Sequence, residues 1–179
     1  MAHNAANLHF PVMADEVLNC LQPENGGLYV DGTLGLGGHS QAILEASAPS
    51  GRVIGFEWDH DAALLAADRL KNFADRITII QASYADMVDE LVKIGIEGID
   101  GLLVDLGVSS LQLDQPERGF SFREDAPLDM RMNRDLQIDA TVILARSSEE
   151  ELADIFYHYG EERQARRIAA YICKVRKTS

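Results

Sequence analysis

Asp31, Gly32, Gly35, Gly37, Gly38 and His39 fall within nine residues, and Glu57 follows 20 residues after Gly37. Glycine belongs where the backbone takes a positive φ or must approach a ligand too closely for a Cβ. The short apolar run Leu28–Asp31 leads into this cluster, and a helical pattern from His39 to Ala46 leaves it. The order is therefore strand, tight turn, helix N-terminus. In an open α/β sheet that order builds a cofactor crevice, and an acid at the end of the next strand accepts hydrogen bonds from ribose hydroxyls. The glycines alone also suit a plain connecting turn. Joined to Glu57 at this distance, they point to a bound nucleoside.

Electrostatics selects among nucleoside cofactors. A dinucleotide needs the glycine loop to hold a pyrophosphate at the helix N-terminus. Gly35-Leu-Gly-Gly-His39 is shorter than the usual dinucleotide fingerprint, and Asp31 would face those phosphates unfavourably. A sulfonium with an amino-acid tail tolerates Asp31 better, which favours S-adenosylmethionine over NAD. Tyr84 follows the third strand, where a ring packs on adenine or simply sits at the rim. Asp105 ends the fourth strand, at the carboxyl edge where ligands bind, and also suits the start of a turn before Gly107. His39 reads as a residue lining the cofactor loop, with a catalytic imidazole as the other possibility.

Alternating strands and helices must position these residues. A leading helix is expected over Val12–Leu21, and strands over Leu28–Asp31, Arg52–Glu57, Ile77–Gln81 and Ile99–Asp105. Helices over His39–Ala46, Asp61–Phe73 and Asp86–Ile94 separate them, the second with apolar residues at 64, 65, 67, 70 and 73. Such alternation means parallel βαβ units. From Leu106 to Gln137 no period is evident, and a structureless stretch that long in a compact domain signals a functional loop or a missed element. Helices return over Ala140–Arg146 and Glu149–Tyr159, and a third, from about Glu161, is expected to run to the end at Ser179.

The chain has 179 residues, 46% hydrophobic and 25% charged, which is ordinary for a globular domain. Its net charge of −13 argues against a polyanionic partner at face value. Residues 161–179 nevertheless hold six basic side chains (Arg163, Arg166, Arg167, Lys174, Arg176, Lys177) against Glu161 and Glu162. That run is a solvated helix face or a local phosphate contact. Cys20 and Cys173 match no metal spacing and read as incidental thiols of a reducing compartment. No metal is expected. Met1–Asn7 lacks the stretches of a signal peptide, and no apolar run is long enough to span a membrane. The location expected is cytoplasmic.

Six blocks carry a family resemblance: His9-Phe-Pro-Val-Met-Ala-Asp-Glu-Val, Asp31-Gly-Thr-Leu-Gly-Leu-Gly-Gly-His-Ser, Asp105-Leu-Gly-Val-Ser-Ser-Leu-Gln-Leu-Asp114, Glu117-Arg-Gly-Phe-Ser-Phe, Pro127-Leu-Asp-Met-Arg-Met132 and Tyr159-Gly-Glu-Glu-Arg163. From His9 onward the chain closely resembles the RsmH family, formerly MraW. These are bacterial methyltransferases acting on the exocyclic N4 of a cytidine in 16S rRNA, in the decoding region of the small ribosomal subunit. The resemblance implies a seven-stranded, Rossmann-like S-adenosylmethionine-dependent methyltransferase sheet, with a helical domain inserted after the fourth strand. Residues 1–137 would form the cofactor domain and 138–179 the start of the insert. The implied contacts are Gly37, Gly38 and His39 in the loop, Glu57 on the ribose, Tyr84 beside the adenine, and Asp105 and Gln112 near the reacting end. Family members usually carry Asp where Glu57 stands and often Phe where Tyr84 stands. They also continue well past residue 179, to a Ser-Phe-His-Ser segment absent here, so the chain reads as the N-terminal portion of a longer design.

The cytosine amine is a poor nucleophile, and many amino-methyltransferases engage it with an Asn/Asp-Pro-Pro-aromatic segment. Here that place holds Asp105-Leu-Gly-Val-Ser-Ser110, so Asp105 is a candidate helper and no base is assigned. Phe120 and Phe122 suit either base stacking or pinning of the loop. Arg118, Arg123, Arg131 and Arg134 suit either phosphates or the neighbouring acids Glu117, Asp125 and Asp129. By the resemblance, the basic tail helix is the better RNA candidate. An NAD-binding oxidoreductase domain and an inactive remnant are the alternatives.

Overall fold

The computed structural model describes residues 11–177. The Met1–Asn7 reading and the first two residues of the His9 block lie outside them. The chain forms two compact units, one extending to Leu111 and the other starting at Gln112.

In the first unit four parallel strands, β1 (Leu28–Asp31), β2 (Arg52–Phe56), β3 (Ile77–Ile80) and β4 (Gly101–Leu103), lie in the order β3-β2-β1-β4. The register pairs Val30 with Ile54 and with Leu102. The chain winds outward from β1 through β2 to β3, then returns to the far side of β1 for β4. The winding therefore changes direction between β1 and β4, and in such sheets the ligand crevice opens at the carboxyl ends beside that point.

The Rossmann-like expectation is met, and the side-chain pattern explains it. Successive strand residues face opposite sides of a sheet, and here both sides are covered. Tyr29 and Val53 pack with Leu34 from the turn after β1, Ile43 and Leu44 from α2 (Gly38–Ala46), Ala66 from α3 (His60–Arg69) and Leu70, which caps α3. The leading helix α1 (Ala14–Leu21) adds Leu18 and Leu21 to the same cluster. Leu28, Val30, Ile54 and Phe56 face the other way, toward Met87 and Leu91 of α4 (Met87–Lys93). Burial on both faces of β1 and β2 is why those central strands read as continuous apolar runs rather than alternating ones.

Several boundaries differ from the sequence reading. β2 ends at Phe56, and Glu57 lies one residue beyond it, its N–H donating to Ile80 O at 3.1 Å. β4 is three residues rather than seven. The third helix stops at Arg69, and a 3₁₀ turn over Lys71–Phe73 completes the apolar period. Such a turn presents the same face for one more step.

The second unit organises the stretch that lacked a period. It contains most of α5 (Ser110–Asp114), a 3₁₀ turn over Pro116–Arg118, and then α6 (Ala140–Arg146), α7 (Glu149–His158) and α8 (Ala165–Val175). α8 starts four residues later than expected, because Glu161 takes a φ of +51° and the preceding turn occupies its place. α7 opens with a capping box between Ser148 and Glu151. The boundary at 137/138 expected from sequence lies inside this unit, whose loop closes onto α6. Ala140 N–H donates to Asp129 O at 2.8 Å and Thr141 N–H to Leu128 O at 3.0 Å.

Two arginines hold that loop. Arg118 is fully buried and donates through Nη2 to the carbonyls of Arg131 and Met132, at 2.9 and 3.0 Å. Gly119 follows with φ +72°, where a Cβ would stand 2.5 Å from Pro127 O. Arg131 grips both oxygens of Asp129 at 2.7 Å and also donates to the carbonyls of Arg134 and Leu136. These two side chains act as internal fasteners, not phosphate ligands. Phe122 projects fully into solvent and pins nothing.

The Arg131 guanidinium beside Asp129 holds that carboxyl down at about 2. A depressed folded-state pKa stabilises the fold above the ordinary carboxylate range and loses that contribution as pH falls through the folded value. Asp129→Asn should therefore lower the amide-exchange protection of Met130, Ala140 and Thr141 at pH 6. The difference from the parent should shrink as pH falls toward 2. Equal protection at pH 6 would show that the ion pair does not hold the loop.

Candidate functional site

The site grows from a carboxylate with almost no solvent. Asp31, the last residue of β1, is 1% exposed. Its Oδ2 accepts from Ser40 Oγ at 2.8 Å and its Oδ1 from Thr33 N–H at 3.2 Å. Ser40 lies in the first turn of α2, so the aspartate ties the end of β1 to the helix across the glycine turn. Burial pushes the Asp31 carboxyl above its ordinary pKa, and Asp105 adds to that push, while the two hydrogen bonds and His39 oppose it.

Within the turn, Gly37 caps α2 with φ +79° and provides no side-chain acceptor for the first-turn N–H groups. A Cβ there would lie 2.9 Å from Leu70 Cδ1, a fully buried side chain, so only glycine fits without repacking. Helix starts leave N–H groups without intrahelical partners, and these attract negative charge.

The glycine turn and Glu57 meet directly. Glu57 Oε2 accepts from Gly35 N–H at 2.7 Å, and Oε1 accepts from Asp59 N–H at 2.8 Å. Each carboxylate oxygen has a second lone-pair direction, so the side chain that braces the turn can still accept from a diol. Burial raises the Glu57 carboxyl, and the Asp59 and Gly35 N–H groups pull it back down.

β4 closes the other side. Gly32 N–H donates to Leu103 O at 2.8 Å, and Asp105 N–H donates to Thr33 Oγ1 at 2.7 Å. The Asp105 carboxylate is about half exposed and lies 3.9 Å from His39 Nε2, within ion-pair range but beyond hydrogen-bond length. His39 itself is buried, and among the described residues its Nδ1 has no hydrogen-bond partner. A buried polar atom without a partner is uncommon, and this one sits in the first turn of α2, beside the crevice. Tyr84 opens a 3₁₀ turn over Tyr84–Asp86. Its Cβ lies 3.4 Å from where a Gly32 Cβ would be, and its ring is about half exposed.

The structure thus brings Gly37, Gly38, His39, Glu57, Tyr84 and Asp105 to the carboxyl ends of one sheet. Gln112 is buried in the second unit, on α5. Sequence reasoning missed Thr33 and Ser40. Their hydroxyls join Asp105 to the β1 turn and Asp31 to α2, and no periodicity links residues 72 and 9 positions apart. In sequence Asp31 stands out for its charge, and in the structure it fastens the turn.

The model of the MraW methylase family matches residues 6–179. The ribosomal RNA small subunit methyltransferase H of Desulfotalea psychrophila is 51% identical over 176 residues, 97% of this chain and 59% of that protein. The protein of the same name from Geotalea uraniireducens is 52% identical over 171 residues, 96% of this chain and 55% of its own length. This chain therefore spans a little over half the length of these curated relatives. Among solved structures, a SAM-dependent O-methyltransferase of Thermotoga maritima superposes with a TM-score of 0.42 at 20% identity, covering 59% of this chain and 35% of that one. With its sheet order, glycine turn and strand-end carboxylates, and with the family model matching nearly its whole length, the chain belongs to the MraW methylase family.

Proposed function

We propose that this chain is the cofactor-holding part of a methyltransferase that uses S-adenosylmethionine to methylate the exocyclic N4 of a cytidine in 16S rRNA, within the decoding region of the small subunit. One observation carries the cofactor half of this reading. Three carboxylates, Asp31, Glu57 and Asp105, end or follow three strands around a glycine turn. A pyrophosphate brought there would meet like charge, and a sulfonium opposite charge. The acceptor half rests on family membership and on the named relatives.

The residues fit such a cofactor. Glu57 retains lone pairs for a ribose diol, and the ring of Tyr84 stands at the crevice rim for an adenine. The α2 N-terminus with Gly37, Gly38 and the unpartnered His39 Nδ1 offers donors and a polar contact to an amino-acid tail. The bound cofactor supplies an electrophilic methyl group. The half-exposed Asp105 carboxylate is the acceptor available to an incoming amine, localising its lone pair and favouring loss of its proton. Alignment of amine and methyl supplies much of the remaining acceleration, up to about 7–11 kcal/mol in the best intramolecular models. Gln112 is assigned to the reacting end by family pattern.

Calorimetric titration with S-adenosylmethionine and, separately, NAD tests the cofactor assignment. Binding of the first and none of the second is expected. Glu57→Asp should stay within a few-fold of the parent, and Glu57→Ala should lose roughly 10- to 100-fold, as for hydrogen bonds to a charged group. NAD binding without an S-adenosylmethionine signal would overturn the reading in favour of an oxidoreductase. Methyl transfer to immature small subunits by the full-length protein tests the acceptor. Cofactor binding without any transfer there would mean a catalytically inactive remnant.

Asp31 separates stability from function. Because its folded-state pKa is raised, the folded protein holds a proton the unfolded chain releases, and stability falls as pH rises above the ordinary carboxylate range. Asp31→Asn keeps both partners, since the amide oxygen accepts from Thr33 N–H and the amide NH₂ donates to Ser40 Oγ. The variant should melt at or above the parent temperature at pH 8, with its advantage smaller at pH 5. Above the raised folded-state pKa, where the parent carboxylate is ionised, it should bind S-adenosylmethionine roughly tenfold more weakly, having lost one attractive charge. A parent protein that melts several degrees higher at pH 8 would refute this account of the burial.

A further inference from the structure

The residues just ahead of α1 reach the cofactor crevice. α1 lies on the same face of the sheet as α2, with Leu18 and Leu21 in the cluster built on Tyr29 and Val53. At its C-terminal end, Leu21 Cδ2 stands 2.9 Å from where a Gly101 Cβ would be, beside the first residue of β4. Ahead of its N-terminal end, Pro11 meets Gly38, the first residue of α2. The ring atoms Cδ, Cβ and Cγ lie 3.2, 3.3 and 3.4 Å from where a Gly38 Cβ would be. α1 therefore starts at the carboxyl edge of the sheet, next to the start of α2, and runs to the amino edge.

The chain bends sharply between Pro11 and α1, because Met13 caps the helix with φ +54°. Val12 and Met13 are exposed in that bend, whereas Pro11 is partly buried. Proline carries no N–H and its φ is fixed by the ring, so Pro11 offers a rigid apolar surface and no competing donor. Beside it lies the first turn of α2, whose N–H groups receive no side-chain cap. His39, the next residue after Gly38, is 8% exposed, and its Nδ1 has no hydrogen-bond partner among the described residues. Gly38 itself has no positive φ, unlike Gly35 and Gly37. The closeness of Pro11, not backbone conformation, is what calls for glycine at position 38.

We propose that Pro11 is a specificity-determining wall of the cofactor site, closing the end that takes the amino-acid tail and setting the affinity for that tail alone. A hydrogen bond from a helix-start N–H to a carboxylate strengthens where water is kept away. The Pro11 ring provides that exclusion on the Gly38 side, while Glu57 holds the nucleoside end from β2. The inference rests on the S-adenosylmethionine reading and deepens it, dividing the site into two parts that respond separately to substitution. A proline that only packed α1 in place would affect stability, and would affect ligands with and without a tail alike.

The test uses full-length protein and calorimetric titration with two ligands: S-adenosylmethionine, and 5′-methylthioadenosine, which keeps the nucleoside and lacks the amino-acid tail. Pro11→Gly should weaken S-adenosylmethionine about five- to tenfold, the scale of a weakened bond to a charged group, and leave methylthioadenosine within about twofold. Pro11→Val keeps apolar bulk and should stay near the parent for both. Gly38→Ala should weaken S-adenosylmethionine by roughly tenfold or more, and adding Pro11→Gly should recover part of that loss, since contacting residues couple. Equal loss for both ligands in Pro11→Gly, or no loss for either, overturns the wall. So does a Gly38→Ala defect that Pro11→Gly leaves unrelieved. A Pro11→Gly protein that melts well below the parent assigns Pro11 to packing of α1 and also overturns it. A parent that binds neither ligand overturns the cofactor reading as well, whereas a parent that binds both confines any failure to Pro11.

Discussion

A carboxylate with 1% exposure at the end of a central strand is costly to bury, and the arrangement around the crevice follows from how Asp31 is satisfied. Its two oxygens take a hydroxyl from α2 and an N–H from the turn, so the helix start and the glycine turn share one anchor. Glu57 supplies a second anchor from the neighbouring strand through Gly35 N–H, and Thr33 supplies a third toward β4 through Asp105 N–H. The turn is thereby tied to the ends of β1, β2 and β4 by side chain–backbone bonds as well as sheet pairing. A loop fixed at three points is a rigid platform. Positioning of this kind is what lets a site spend little ordering entropy when a ligand arrives.

The same acids that brace the turn set the charge of the crevice. Burial works against ionisation of Asp31 and Glu57, and their hydrogen bonds work for it. A cationic centre placed nearby would relieve that tension, whereas an anionic one would add to it. Structural and functional demands on these acids therefore point the same way, toward a positively charged ligand group. His39 is buried beside the crevice, and its Nδ1 has no hydrogen-bond partner among the described residues.

Arginines in the second unit divide by environment, not by sequence. Arg118 and Arg131 turn inward to carbonyls and to Asp129, and they give a stretch without regular period its shape. Arg176 bonds a helix carbonyl. Arg163, Arg166 and Arg167 stay on the surface, among exposed tyrosines. A guanidinium carries five donors in a planar fork and serves equally well as an internal multi-carbonyl fastener or as a phosphate ligand. Only its surroundings decide which.

The sequence by itself determined the α/β alternation, the four strands within a few residues, and the glycine turn followed at fixed distance by an acid. These are local matters: apolar runs buried on both faces, glycines at a positive φ, and a strand-end carboxylate all leave marks in adjacent residues. Tertiary structure alone decided that Asp31 fastens α2 through Ser40, that Glu57 braces Gly35, and that Thr33 joins β4. It alone placed the chain division after Leu111 and organised residues 115–139 around Arg118 and Arg131. Those bonds join residues distant in sequence or lacking any repeat, and a hydroxyl or guanidinium carries no sign in sequence of which partner folding will bring to it.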